Sequence, residues 1–226
     1  HGSVDDVLLQ GITGNYYLSK KDIDRIRQTE GVESVSTQFF LTSAKAGCCS
    51  VRVQIIGFDP ETDMTILPWV GEAYSMDNAE GGLVVGSEIN VPENRLITFY
   101  GGSYRVVAKL SATGTGLDSA VFADMETVRK MAYDAKGLTE GQTFSGVDID
   151  TAASAVFIKV ADGFSPTDVA DDINIHITKA LATPARTMIA DMAKGLSGIS
   201  SSCQRALIEA QQLMDSGASS HAVCCK

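Results

Sequence analysis

The fold is decided by residues 18–41, which read LSKKDIDRIRQTEGVESVSTQFFL. The first half predicts a helix from about Lys20 to Glu30, because Ser19 can cap its N-terminus and Ile23 and Ile26 form an apolar stripe. The glycine that follows is a suitable helix stop. The second half alternates apolar and polar residues, the period-two pattern of a β-strand. The stretch therefore predicts a helix that leads directly into a strand.

Working outward, the same alternation predicts a series of short strands. They are expected near residues 35–41, 51–55, 83–86, 96–100, 104–110, 121–122 and 155–160. The first two are expected to form an antiparallel hairpin with two adjacent cysteines near its tip. A glycine pair at 101–102 predicts a tight turn between the fourth and fifth strands.

Two further helices are predicted in the second half of the chain. One begins after the cap residue Asp124 and ends before Gly137. The other has Ser165 as its cap and an apolar stripe that reaches Leu181, and Pro184 is expected to end or kink it. Because strands and helices are interleaved without a regular βαβ alternation, the predicted fold class is α+β.

The charge balance excludes some classes of partner. The 226 residues carry 18 Lys and Arg against 28 Asp and Glu, a net charge of −10, which argues against nucleic acid because phosphate binding needs a basic face. Apolar residues make up 44% of the chain, enough for a packed core. No apolar run of about 18 residues or more occurs, so no segment of this chain is expected to span a bilayer. The chain can be a whole cytosolic protein or a soluble piece of a larger one.

The five cysteines form two adjacent pairs, Cys48–Cys49 and Cys224–Cys225, and Cys203 stands alone. This is neither the pattern of a disulfide scaffold nor that of a zinc ribbon. Three interpretations of Cys48 and Cys49 remain open: structural thiols, a vicinal or inter-loop disulfide, and a soft-metal or redox site.

No catalytic motif is recognisable. The sequence has no phosphate loop, nucleophile elbow, zinc-protease helix or EF-hand loop. The acidic run of Asp59, Glu61 and Asp63 lacks the spacing of a calcium loop and is interpreted as a solvated turn. His176 is interpreted as a surface or boundary histidine. The chain is therefore predicted not to be an enzyme.

Six short motifs, taken in order, resemble those of the MacB-like periplasmic core domain in ABC transporter permeases of the FtsX/MacB superfamily. They are the helix-to-strand run at 19–36, VQIIGFDP at 53–60, LVVGSE at 83–88, YRVVA at 104–108, AVFADMETV at 120–128, and the strand and helix at 156–173. The resemblance spans about residues 15–182. Ala108 stands where the family usually has glycine, and Ala123 and Asp124 replace its proline-containing turn. Cys48 and Cys49 are not part of the general pattern.

The resemblance implies a two-lobed domain. Residues 1–60 and 151–185 would form a porter-like α/β lobe, and residues 61–150 an inserted β-rich lobe. Residues 186–226 would lead toward a transmembrane helix outside this chain, or are an added tail. The domain would lie on the extracytoplasmic side of the cell membrane.

The resemblance also implies function and partners. The domain would couple ATP hydrolysis to conformational change or partner contact outside the membrane, as in efflux or mechanotransmission. It would hold no catalytic residue and no cofactor, since ATP would be bound by a separate cytosolic ATPase subunit, reached through membrane helices. The permease is expected to form a homodimer or heterodimer. An extracytoplasmic protein partner would contact the inserted lobe or the loop from Ala112 to Ser119.

The alternative function is a soft-metal or thiol-redox binding module centred on Cys48 and Cys49. Thiolates are the ligands that soft metals such as Cu(I) prefer. Such a module could stand alone or act as a sensor within the permease.

Overall fold

The computed structural model of the chain describes residues 17–43, 49–51, 53–66, 81–112, 116–136, 144 and 146–184. The α-helices in these ranges are α1 (Lys20–Gln28), α2 (Met125–Lys136) and α3 (Pro166–His176). The strands are β1 (Val32–Thr42), β2 (Gln54–Phe58), β3 (Gly82–Val85), β4 (Leu96–Phe99), β5 (Gly102–Lys109), β6 (Ala120–Asp124) and β7 (Ala155–Val160). A 3-10 helix at Gly116–Ser119 precedes β6. The fold is mixed α+β, which confirms the predicted class.

The strands form one seven-stranded mixed sheet with the order β4-β5-β3-β6-β2-β1-β7. Strands β1 and β2 pair antiparallel, as do β1 with β7, β3 with β6, and β4 with β5. Two pairings are parallel, β2 with β6 and β3 with β5. The predicted antiparallel arrangement of β1–β2 and the predicted β4–β5 hairpin are confirmed.

Helix α1 forms where the sequence predicts it. Ser19 caps the helix, since its Oγ accepts a hydrogen bond of 3.3 Å from the backbone N–H of Asp22. Gly31 follows with a φ of +83°, a conformation that favours glycine, and a Cβ there would lie 2.6 Å from the ring of Phe164. The backbone at Gly31, just before β1, therefore packs closely against Phe164 in the segment that leads into α3.

All three helices cover one face of the sheet. Phe39 on β1 belongs to a large apolar cluster with Val128 and Met131 of α2. Val35, on the same face of β1, belongs to a second cluster with residues of α1 and α3. The opposite face of β1 carries Phe40, which belongs to a third cluster. The sheet therefore has apolar cores on both faces.

The predicted end of α3 is wrong. The helix ends at His176 rather than near Pro184, and Leu181, expected on its buried stripe, is 66% exposed. The amide of Asn174 explains the difference. Its Oδ1 accepts a bond of 2.7 Å from the N–H of Ala182, and its Nδ2 donates one of 2.9 Å to the carbonyl of the same residue. These two bonds hold the chain in a turn after the helix.

The predicted lobes meet inside this sheet. Strands β2, β1 and β7 come from residues 1–60 and 151–185, whereas β4, β5, β3 and β6 come from residues 61–150. The boundary lies between β2 and β6, which pair in parallel from Gln54–Ala120 to Phe58–Asp124. The two ranges are joined along one sheet, and their division into separate lobes stays a prediction.

Candidate functional site

The predicted thiol site lies at the edge of the described structure. Cys49 is half-buried and packs against the large cluster, and Ser50 beside it donates a backbone hydrogen bond of 2.9 Å to the carbonyl of Thr98 on β4. The connection between β1 and β2 therefore reaches the edge strand of the sheet and is not a simple hairpin tip. Cys48, Cys203, Cys224, Cys225 and residues 186–226 lie outside the described residues.

No metal ligand set is assembled in the part of the chain that the structure describes. There, no group of three or more His, Cys, Asp or Glu side chains could hold an ion. The soft-metal or redox site at Cys48 and Cys49 stays a prediction.

The carboxylates of the acidic run after β2 accept hydrogen bonds from residues of the same loop. Asp59 accepts hydrogen bonds from the N–H of Glu61 at 3.0 Å and from the hydroxyl of Thr62 at 3.0 Å. Asp63 accepts bonds from the backbone and the hydroxyl of Thr65. These carboxylates therefore stabilise a turn, the role that the sequence interpretation gave them.

His176 lies at the exposed C-terminal end of α3. Its Nδ1 is 3.0 Å from Oδ1 of Asp172, and its carbonyl accepts a bond of 2.9 Å from Arg25 of α1. With Gln28 and the residues that directly follow α1 and α3, these three line an open cavity of about 270 Å³. The histidine is a surface residue, as predicted.

The loop named as a contact surface is anchored at its C-terminal end. The carbonyl of Asp118 accepts a backbone hydrogen bond of 2.9 Å from Glu88. A Cβ at Gly86 would lie 2.2 Å from the same carbonyl oxygen, so only glycine fits between β3 and this loop. Residues 113–115 of the loop lie outside the described residues, and its role as a contact surface stays a prediction.

A groove along α2 was not predicted from the sequence. It has a volume of about 550 Å³ and is lined by five residues of the helix and one of the following loop: Met125, Glu126, Arg129, Lys130, Tyr133 and Asp150. The spacing of four between the apolar, basic and aromatic residues of α2 places them in one row on the helix surface. That spacing is the sequence signal that could have found the helix side of the groove.

Three of the groove's polar side chains have shifted acidities. The hydroxyl of Tyr133 donates a 2.8 Å hydrogen bond to Oδ2 of Asp150, which raises the pKa of Tyr133. The ion pair of Lys130 with Asp134, at 3.1 Å, raises the pKa of Lys130. Burial lowers the pKa of the Arg129 guanidinium, while nearby carboxylates oppose that effect. The groove therefore combines opposite charges with a partly desolvated arginine.

The two ends of the described chain meet at one apolar cluster. Leu18 pairs antiparallel with Ala153, which lies two residues before β7, and the backbone hydrogen bond between them is 2.8 Å long. Leu18 packs against the cluster of α1, β1 and α3, and Ala180 and Ala182 from the other end pack against the same cluster. Both ends of the described fold therefore lie at this cluster.

No helix within the described ranges is both long enough and apolar enough to cross a membrane.

The sequence matches no known family, and it matches no curated protein. Two solved structures are similar to the chain. The extracellular domain of the noncanonic ABC-type transporter YknZ from Gram-positive bacteria has 11% identity and a TM-score of 0.43, and the match covers 77% of this chain and 91% of that one. The periplasmic region of MacB from Actinobacillus actinomycetemcomitans has 10% identity and a TM-score of 0.44, with coverage of 88% and 90%. The second of these is a domain of the kind that the six sequence motifs resemble.

Proposed function

We propose that this chain is an extracytoplasmic domain of an ABC transporter permease. A separate cytosolic subunit would hydrolyse ATP, and this domain would convert the resulting motion into conformational change or partner contact outside the membrane. We further propose that the domain binds no cofactor and catalyses no reaction of its own.

The observation that carries the proposal is that both ends of the described fold pack against one apolar cluster. A domain inserted between two membrane helices must send both of its ends toward the same side of the bilayer. Leu18 and Ala182 pack against the same apolar residues, which satisfies this requirement. The part of the fold formed by α1, β7 and α3 would then face the membrane.

The placement of the six motifs gives further support. Each of them lies in the connected fold rather than in scattered loops: they form α1–β1, β2, β3, β5, β6–α2 and β7–α3. Close approaches explain why glycine stands within the motifs: a Cβ at Gly57, for example, would lie only 2.9 Å from Cβ of Val128. A rigid sheet of this kind can transmit a displacement from its membrane end to its far edge at β4.

The proposal is tested on the full-length gene product in its native host. An epitope tag is placed at Gly101, in the exposed turn between β4 and β5, where an added Cβ would touch nothing. We expect an antibody to reach the tag in intact protoplasts or spheroplasts, and a protein with a P-loop ATPase motif to copurify in mild detergent. A tag that becomes accessible only after lysis, or a product without flanking apolar segments, would contradict the proposal.

A further inference from the structure

Arg129 has hydrogen-bonding capacity that the described fold does not use. Its Nε is buried and has no acceptor. Within the described ranges, its guanidinium makes no hydrogen bond and no ion pair. A buried donor without an acceptor is costly for a folded protein, but the fold encloses Nε and another molecule cannot reach it. The terminal nitrogens of the guanidinium also make no hydrogen bond to a described residue and are not buried, so they are the donors that an acceptor from another molecule can reach.

The neighbouring carboxylates are already engaged elsewhere. Asp148 accepts hydrogen bonds from the backbone N–H of Asp150 at 3.2 Å and from the hydroxyl of Thr151 at 2.6 Å. Asp150 accepts the hydrogen bond from Tyr133. Both carboxylates attract the Arg129 guanidinium electrostatically, yet neither binds it. The unmet group in the groove is therefore the cation and not the anions.

The walls of the groove suit a protein partner. Met125 and Tyr133 lie one turn before and one turn after Arg129 on the helix. Tyr133 is 46% exposed, and its hydroxyl is held by Asp150. Nζ of Lys136 lies 5.7 Å from the centroid of the Tyr133 ring. A held aromatic ring beside a partly desolvated arginine is the combination that dominates the energetics of protein interfaces.

We propose that the α2 groove is a docking site for a polypeptide partner, which places an aspartate or glutamate carboxylate on the Arg129 guanidinium and an apolar neighbour against Met125 and Tyr133. A carboxylate matches the planar fork of a guanidinium through two parallel hydrogen bonds. Such a site would serve a free-standing protein as well as a transporter domain, so it does not depend on the proposed function.

The charges favour this partner over a polyanionic surface. The chain has a net charge of −10, and Glu126 and Asp150 flank the arginine. An anionic bilayer or a nucleic acid would bring many negative charges against these carboxylates. A single carboxylate can bind Arg129 while Glu126 and Asp150 stay hydrated.

Random linear peptides displayed on phage, selected against the full chain, test the proposal. We expect the enriched peptides to contain an acidic residue next to an apolar one. Changing that acid to its amide, or changing Arg129→Gln, should weaken the Kd of a selected peptide at least tenfold, by about the loss of one charge-assisted pair. Arg129→Lys should also weaken binding, because lysine lacks the planar fork.

Arg105→Gln is the matched control. Arg105 is exposed on β5, where the alternation of side chains places it on the face opposite α2. Its substitution should leave the Kd unchanged. If Arg129→Gln fails to fold, as judged from its amide NMR spectrum, Tyr133→Ala gives the readout, because that exposed ring should also be needed for tight binding.

The Nε–Hε NMR signal of Arg129 supplies a direct measurement. It should shift on addition of a selected peptide and should not shift with inorganic phosphate or phosphatidylglycerol vesicles. The proposal is overturned if no acidic peptide is enriched, if Arg129→Gln binds as tightly as the unchanged chain, or if only phosphate or vesicles shift the signal.

Discussion

Burial changes the acidity of a single tyrosine at the start of the described chain. The ring of Tyr17 stacks on that of Phe39 with 5.2 Å between centroids, and the ring of Phe144 lies 5.8 Å away. Its hydroxyl donates a hydrogen bond of 3.3 Å to the carbonyl of Phe40. Burial raises the pKa of Tyr17 from 10.0 to about 12, because the phenolate would lose its hydration.

This shift predicts a loss of stability in alkali that depends on Tyr17. Because the folded-state pKa lies above the unfolded value, the contribution is fully present below pH 10 and is lost as the pH rises toward about 12. Tyr17→Phe removes the titrating group. We expect its free energy of unfolding, measured with urea at several pH values, to fall less steeply across this window than that of the unchanged chain. Equal slopes would contradict the prediction.

Tyr133→Phe is the control for this experiment. Its hydroxyl is also hydrogen-bonded, but the side chain is largely exposed. Removing the Tyr133 hydroxyl should change the pH dependence of the free energy of unfolding in this window less than removing the Tyr17 hydroxyl does.

At the scale of secondary-structure elements, one residue both ends β6 and begins α2. Oδ1 of Asp124 accepts a hydrogen bond of 2.7 Å from the N–H of Thr127, and Oδ2 accepts one of 2.7 Å from the hydroxyl of the same residue. The carboxylate thus satisfies one of the N–H groups that a helix leaves unpaired at its start. Because α2 covers the large cluster, its cap helps to hold the helix over the sheet.

Asp124→Ala should lower the free energy of unfolding by about 1 kcal/mol, the usual effect of removing a cap. Asp124→Asn keeps an acceptor oxygen at the same place and should lose only a fraction of that. Both values come from urea denaturation at neutral pH. If the two variants were equally destabilised, the cap would not be the source of the effect.

The elements that the sequence predicted correctly are those specified by neighbouring residues. Caps such as Ser19, Asp124 and Ser165 act on the next turn of chain, and their side chains accept the expected bonds. The predicted end of α3 was wrong because the observed end depends on a hydrogen bond between the side chain of Asn174 and Ala182, eight residues further along the chain. A local pattern of apolar residues does not predict such a contact.

The groove on α2 escaped prediction for the same reason. The side of the groove formed by the helix can be recognised from residues spaced four apart in the sequence. The opposite wall is Asp150, which lies 17 residues from Tyr133 in the chain. The parallel pairings of β2 with β6 and of β3 with β5 are likewise non-local. Alternation predicts that a strand exists, whereas its neighbours in the sheet are set by the packing of the whole chain.

At the scale of the whole molecule, one sheet connects both parts of the chain that the sequence assigns to different lobes. Strand β2 pairs with β6 through five residue pairs. The large cluster contains Phe39 of β1 and Ile55 of β2 together with Ile97 of β4 and Val106 of β5. Because the sheet and the core both cross the boundary, we expect the described fold to unfold as one cooperative unit.

Gly86→Ala tests this cooperativity. A Cβ at this position would lie 2.2 Å from the carbonyl oxygen of Asp118 and 2.3 Å from that of Leu117, so the backbone must move, at a cost of about 1–3 kcal/mol. The substitution lies in the range 61–150. If unfolding is cooperative, the slowest-exchanging amides of β1, in the other range, should lose the same free energy of protection as those of β5. Native-state hydrogen exchange measures both strands in one sample. Loss confined to β5 would mean that the two ranges unfold separately, as independent lobes do.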